Sequence, residues 1–241
     1  MSDGQLTSRA IYRSAQGLDL PRIVLLFLAL DLVYLTINVV WRSAEVLDLT
    51  QATRWYLLQI HSDYGLSEIT NFAKYLAVVG LLVWGTGRPG LRVWGPMAAG
   101  FLFLFLDDSL RLHETASYWV GDRYLIDAAG NRKDAATLGQ FPYYVIAALV
   151  VFGGALLTLA RTRGREAQLA RRMIGLLVIL GGLAAGVDFV NSYILERIAP
   201  DWVGSIGSMV ENGGELIVTS LCVWVAVLVR RHLMVRGPAA A

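Results

Sequence analysis

Cysteine and histidine are scarce in this chain of 241 residues, and several familiar motifs are missing. The single cysteine, Cys222, excludes an intrachain disulfide and a cysteine-based metal site. The three histidines are too few for a histidine-rich membrane hydroxylase, and none lies deep enough in an apolar stretch to ligate a membrane haem. The sequence has no Gly-rich phosphate loop and no Ser/His/Asp arrangement, and nothing in it supports nucleic-acid binding.

Charge is scarce as well. Charged residues make up 17% of the chain, apolar residues make up 56%, and the mean hydropathy is +0.53. Soluble domains contain roughly 45–50% apolar residues, glycine included. The composition therefore argues against a single soluble domain. The N-terminal segment is polar and lacks an apolar core followed by a small-residue cleavage site, so we expect no cleaved signal peptide.

Long apolar stretches are what the chain does have. A helix that crosses a membrane needs about 20 mostly apolar residues. Six stretches qualify, namely 23–41, 69–86, 94–111, 141–159, 173–195 and 203–229. One such stretch could be buried in a soluble helical protein, but six of them favour a membrane bundle. We predict an all-α polytopic integral membrane protein with six transmembrane helices in one bundle over residues 23–230, flanked by an N-terminal segment, 1–22, and a tail, 231–241.

The basic residues predict the orientation. Of the 21 lysines and arginines, thirteen lie in the segments on the side of the termini and seven lie in the segments on the other side. The positive-inside rule then places both termini in the cytoplasm, and the even number of spans agrees with this. The expected location is the inner (plasma) membrane of a bacterium. Residues 52–64, in the first outer connection, have the pattern of an interfacial helix.

Ionisable residues interrupt the apolar stretches. Each costs a few kcal/mol inside a bilayer, so such a residue is by default a functional candidate. A rise of about 1.5 Å per residue places the acids between the outer boundary and the middle of the bilayer. We therefore predict one polar site that is open to the outside.

Helical spacing groups these residues, because positions three, four and seven apart share a face. Asp107 shares a stripe with Arg111 and Glu114, and Glu211 shares one with Glu215. The predicted polar lining is completed by Asp31, Asn38, Lys74, Arg111, Asp188 and Asn191. The fourth stretch has no ionisable residue after Gln140, so we expect it to face the lipid.

Carboxylates on facing helices suggest a metal site, because hard cations take several carboxylate oxygens. The candidate ligands are Asp107, His113, Glu114, Glu211 and Glu215. His113 fits only if the helix loosens around it, because it points about 100° away from Glu114 in a straight helix. A divalent cation that keeps a water would make an enzyme, with Glu114 or Glu215 as the catalytic base.

Two other functions stay open. Carboxylates in a helical cavity also serve proton- or cation-coupled transporters and channels, and Gly213 and Gly214 could form a hinge in the last stretch. Alternatively, buried ion pairs could fix the packing of an accessory or scaffold subunit of a membrane complex. The bilayer is the expected partner in every case. The sequence leaves open a homo-oligomer, the substrate, the metal and whether the protein is an enzyme.

The run from Asp107 to Glu114 reads Asp-Asp-Ser-Leu-Arg-Leu-His-Glu and ends an apolar stretch. It resembles a string found in uncharacterised bacterial multi-pass membrane proteins, which also carry a later acidic pair comparable to Glu211 and Glu215. The resemblance covers these ten residues and groups the two sets of acids. It implies no particular activity, ligand or catalytic residue.

Overall fold

The computed structural model describes residues 21–46, 65–83, 87–187, 189–191 and 201–236. These residues contain no strand, which confirms the all-α prediction. In chain order the helices are α1 (Arg22–Val46), α2 (Leu66–Val83), α3 (Gly87–Leu110), α4 (Leu112–Val120), α5 (Ile126–Ala129), α6 (Arg132–Arg161), α7 (Arg165–Gly181) and α8 (Asp201–Arg236). Two π-helical segments, Gly121–Leu125 and Gly182–Val187, continue α4 and α7.

Six of these helices are long and apolar enough to cross a membrane, and each overlaps one of the six predicted stretches. They are α1, α2, α3, α6, α7 with its π-helical extension, and α8. Several helices are longer than the apolar stretches from which they were predicted. α6 begins at Arg132 because the side chain of Asn131 accepts a hydrogen bond from the backbone N–H of Asp134 and caps the first turn. The interfacial helix predicted at 52–64 lies outside the described residues.

The last helix lies at the centre. In α8, 61% of the apolar, membrane-length stretch is buried inside the bundle. In the other five helices, the corresponding buried share is 33% or less. α8 packs against α1, α2 and α7, and its buried face carries Cys222, Val223 and Ala226. Thr219 and Ser220, two polar residues of α8, are completely buried against other helices.

α6 lies directly against α3 and α4. Gly154 of α6 touches the backbone of Pro96, and Gly139 touches the backbone of Ser117, so a Cβ at either glycine would collide with the neighbouring helix. Small residues permit such close approach of helices. Only 17% of the apolar stretch of α6 is buried, the smallest share among the six helices, so much of α6 faces outward, in line with the prediction that it faces the lipid. The prediction missed the other face of α6, where glycines and tyrosines pack against α3 and α4.

Pro96 interrupts the hydrogen bonding of α3. It has no N–H to donate to the carbonyl of Arg92, one turn earlier. Arg161, at the end of α6, donates from Nη1 to that carbonyl at 2.7 Å. The arginine replaces the missing helical hydrogen bond and ties the end of α6 to the start of α3.

Candidate functional site

A cavity of about 1150 Å³ lies between α2, α3, α4, α6, α7 and α8. This is slightly larger than the usual range for small-molecule sites, roughly 300–1,000 Å³. One part of its wall is polar, and the rest is mostly apolar, with most of its apolar residues on α6 and α7. The acidic and basic side chains in the wall are Glu68, Asp107, Asp108, Arg111, His113, Glu114, Arg132, Glu211 and Glu215.

The helical conformation is interrupted at Arg111, between α3 and α4. This residue has φ 52° and ψ 44°, and it is the one non-glycine residue with positive φ among those that the structure describes. The left-handed conformation costs an L-residue roughly 1–2 kcal/mol. Because of this break, α4 does not continue the axis of α3, and its first turn folds back toward Asp107.

Asp107 holds His113 through two hydrogen bonds. Its Oδ1 accepts from the backbone N–H of His113 at 2.9 Å and lies 3.2 Å from the ring Nδ1. The same oxygen accepts from the hydroxyl of Tyr143 at 2.6 Å. Because a carboxylate only accepts, Nδ1 carries the proton, and Nε2 is left as the ring atom that can bind a cation or a proton. The helix is interrupted at Arg111, two residues before His113, whereas His113 and Glu114 themselves lie in the regular helix α4.

Asp108 completes a compact group. Ligand atoms of Asp107, Asp108 and His113 all lie within 4.8 Å of one another. Burial lowers the pKa of His113, but the hydrogen bond to Asp107 and the charges of the neighbouring carboxylates raise it by more, so the pKa lies above its ordinary value. Such a concentration of negative charge attracts a cation. Sequence reasoning missed Asp108, because it lies off the stripe of a straight helix.

Glu114 lies beside this group. Its Oε1 is 3.9 Å from Nε2 of His113. It also accepts from Arg111, at 3.1 Å from Nε and 3.0 Å from Nη2, and both side chains are about one-third exposed. The arginine therefore presents its guanidinium at the edge of the cavity, next to the cluster.

A family model matches residues 22–231, a range that includes five of the six apolar helices, all but the last residues of α8, and every residue of the cavity. Its description is a domain of unknown function, DUF8692. The chain belongs to this family. This agrees with the predicted relationship to uncharacterised proteins. No curated protein and no solved structure matches the chain. The function must therefore be argued from the cavity itself.

The acids of α8 line the same cavity from another wall. Glu211 and Glu215 face it one turn apart, and Asn212 between them donates to the carbonyl of Ser208 at 2.8 Å. Every predicted metal ligand thus lines the same cavity, together with Arg111. The compact cluster comprises the residues of α3 and α4, and the α8 acids lie outside it.

Four further residues of the predicted polar lining, Asp31, Asn38, Lys74 and Asn191, are described by the structure and do not line this cavity. Asp31 and Lys74 form a separate buried ion pair, described below, and Asn38 donates to the carbonyl of Tyr34 in its own helix at 2.8 Å. Asn191 has a buried Oδ1 with no hydrogen-bond partner among the described residues. Asp188 lies outside them.

Two tyrosines in the site were not predicted. Tyr143 donates to Asp107, and Tyr75, only 3% exposed, is hydrogen-bonded to Asp108. In the sequence both fit the aromatic belts that are common at membrane surfaces. A better signal was their position, since each lies on an apolar helix at the level of the acidic cluster.

Proposed function

We propose that the protein is an integral membrane protein whose six helices form one bundle, with both termini in the cytoplasm and the cavity open to the outer side of the inner membrane. The cavity binds a divalent cation and supports metal-dependent chemistry. The single observation that carries this proposal is the grouping of Asp107, Asp108 and His113 within 4.8 Å in the wall of a large cavity. The excess of basic residues beside the termini supports the orientation.

The donor set favours one class of cation. Carboxylate oxygens together with an imidazole nitrogen suit zinc, manganese or ferrous iron better than calcium, which prefers oxygen alone. In the proposed site, Asp107 orients the imidazole through Nδ1, and Asp108 and the Nε2 of His113 bind the cation. Glu114 lies close enough to Nε2 to contribute a further oxygen.

A cation held by a few protein ligands keeps a water, lowers its pKa and polarises a substrate oxygen. A nearby carboxylate then takes the proton of that water, and Glu114 and Glu215 are the candidates for this role. Arg111 is placed to bind a negatively charged group of a substrate. The proposed reaction class is therefore metal-assisted attack of water.

The test is the metal content of the detergent-purified protein after equilibration with zinc or manganese and removal of excess metal. We expect about one equivalent in the wild type and at least a tenfold loss in Asp108→Asn and His113→Gln. Asp127→Asn is the matched control, because Asp127 is an exposed acid on α5 that does not line the cavity. Equal metal content in all four proteins, or none in the wild type, would overturn the proposal.

The α8 acids need a separate variant, Glu211→Gln/Glu215→Gln. Loss of metal would make them ligands as well. Retention of metal with loss of the chemical activity would support Glu215 as the base. Size-exclusion chromatography shows for each variant whether the bundle is intact.

A proton- or cation-coupled transporter is the second candidate. Asp31 and Lys74 form an ion pair in the apolar part of the bundle, and Lys74 donates to the carbonyl of Leu216, the residue after Glu215 on α8. Ionisable groups in such places form proton relays in transporters. Proton- or cation-driven uptake into proteoliposomes, lost in Glu215→Gln while the metal content is unchanged, would favour transport over catalysis.

A further inference from the structure

The cavity has two chemically different parts. The acidic cluster forms one, and the other is lined by apolar side chains of α6 and α7. On α6 the wall continues from Gln140 to Phe152, which is about 18 Å along the helix axis at 1.5 Å per residue. One leaflet of a bilayer has a hydrocarbon layer of about 15 Å. The apolar part is therefore comparable in length to the hydrocarbon layer of one leaflet.

The apolar wall combines deeply buried residues with residues at the outer surface. Val151 of α6 and Leu177 of α7 line the cavity and are only 6% and 3% exposed. Val145 and Val178 also line it, but they are 60% and 56% exposed. The cavity wall therefore reaches the outer face of the bundle between α6 and α7.

Small residues leave a gap between α6 and α7 where the cavity meets the outer face of the bundle. Ala148 of α6 and Gly181 of α7 line the cavity and are themselves exposed. Both belong to helices that are apolar enough to lie in the hydrocarbon layer. Among the described residues, the gap between α6 and α7 thus leads from the lipid side into the cavity, toward the acidic cluster.

We infer that the ligand of this cavity is an amphiphile whose alkyl chain enters sideways between α6 and α7 and whose oxygen-bearing head group reaches the Asp107–Asp108–His113 cluster. This inference rests on the proposed function, since it places the helices in a bilayer and a cation next to the head group. A small water-soluble ligand would leave the apolar wall of α6 and α7 without a partner. An alkyl chain covers it and stays parallel to the neighbouring lipid chains.

The test uses the full-length protein in lipid nanodiscs that contain a fatty acid with a diazirine at the end of its alkyl chain. After illumination, mass spectrometry identifies the labelled residues. We expect labelling of Val151 and Leu177, which bilayer lipids outside the bundle do not reach. Labelling confined to outward-facing residues such as Leu149 and Ile179, which are 70% and 52% exposed, would overturn the inference.

A bulky side chain in the gap between α6 and α7, compared with the same side chain beside the gap, tests the route of entry. Val178→Trp places a large ring where the cavity meets the outer face and should reduce the labelling of Val151 at least fivefold. Ile179→Trp makes the same change on the next residue, which does not line the cavity, and should leave the labelling unchanged. Equal labelling in the two variants would contradict entry between α6 and α7.

The metal content of the same samples distinguishes a failure of the proposed metal site from a failure of the amphiphile inference. Metal bound through Asp108, with no labelling of the inner wall, would overturn the amphiphile and leave the metal site in place. Labelling of the inner wall in a protein that binds no metal would overturn the proposed metal chemistry and support the alkyl-chain ligand.

Discussion

Lys74 donates from Nζ to Oδ1 of Asp31 at 2.5 Å, and both side chains are completely buried. Two residues of α8 complete this network. Lys74 also donates to the carbonyl of Leu216 at 2.9 Å, and the hydroxyl of Ser220 donates to Asp31 at 2.6 Å. The pair thus joins α1, α2 and α8. Since Leu216 lines the cavity and follows Glu215, the pair also supports the wall that carries the α8 acids.

Breaking this pair should destabilise the protein strongly. Lys74→Met leaves the buried carboxylate of Asp31 without its cation, and removal of one partner of a buried pair costs about 3–5 kcal/mol. The double variant Asp31→Leu/Lys74→Met removes both charges and should recover most of this loss. Thermal unfolding in detergent measures the effect. A Lys74→Met variant as stable as the wild type, or a double variant less stable than Lys74→Met, would contradict the role of the pair.

The backbone at Arg111 allows a comparison of two small residues. Arg111→Gly and Arg111→Ala both remove the guanidinium, but only glycine adopts a φ of 52° without strain. We expect the glycine variant to be the more stable by about 1 kcal/mol. Chemical or thermal unfolding of the two variants side by side checks this. Equal stability would mean that the left-handed break is not required by the fold.

The contact between α3 and α6 can be tested with neighbouring glycines. Gly154→Ala introduces a Cβ that collides with the backbone carbonyl of Pro96, whereas a Cβ at Gly153 meets nothing within 4 Å. The first variant should lower the melting temperature. The second should leave it unchanged or raise it, because alanine favours a helix by up to about 1 kcal/mol. If the two variants behave alike, the close packing of α3 and α6 is incorrect.

Tyr143 should tune the proposed cation site without binding the cation. Tyr143→Phe removes the hydroxyl that donates to Asp107 and keeps the ring. Loss of such a supporting hydrogen bond typically weakens metal binding 10–100-fold. Competition with a chromophoric chelator measures the change, and Tyr124→Phe, an exposed tyrosine outside the cavity, is the control. If Tyr143→Phe binds the cation with unchanged affinity, the hydroxyl of Tyr143 does not support cation binding.

The sequence predicted the helices well, because an apolar run of membrane length leaves few alternatives to a buried helix. It also placed Glu211 and Glu215 together, since their spacing puts them on one face of a regular helix. Asp31 could be matched to Lys74 only as one of two choices, with Asp188 as the other. The spacing of residues along one helix does not determine which neighbouring helix packs against it.

The geometry around His113 was beyond sequence reasoning. An arginine has no preference for the left-handed conformation, so nothing marks Arg111 as the place where the helix breaks. Without that break, Asp107 does not reach His113. Asp108 precedes the break, and its role depends on Tyr75 of the neighbouring helix α2, to which it is hydrogen-bonded. The inward face of α6 was missed for a related reason. Its glycines act by permitting close contact, which depends on the shape of the neighbouring helix.

The central position of α8 has a consequence for biosynthesis. The helix that fills the middle of the bundle is the last of the six apolar helices in chain order, so the five earlier helices leave the ribosome before it. During that interval Asp31 and Lys74 have each other, but they lack Ser220 and the carbonyl of Leu216. The acidic cluster likewise has no α8 wall. One wall of the cavity and the last two hydrogen bonds of the buried network therefore depend on the same late helix.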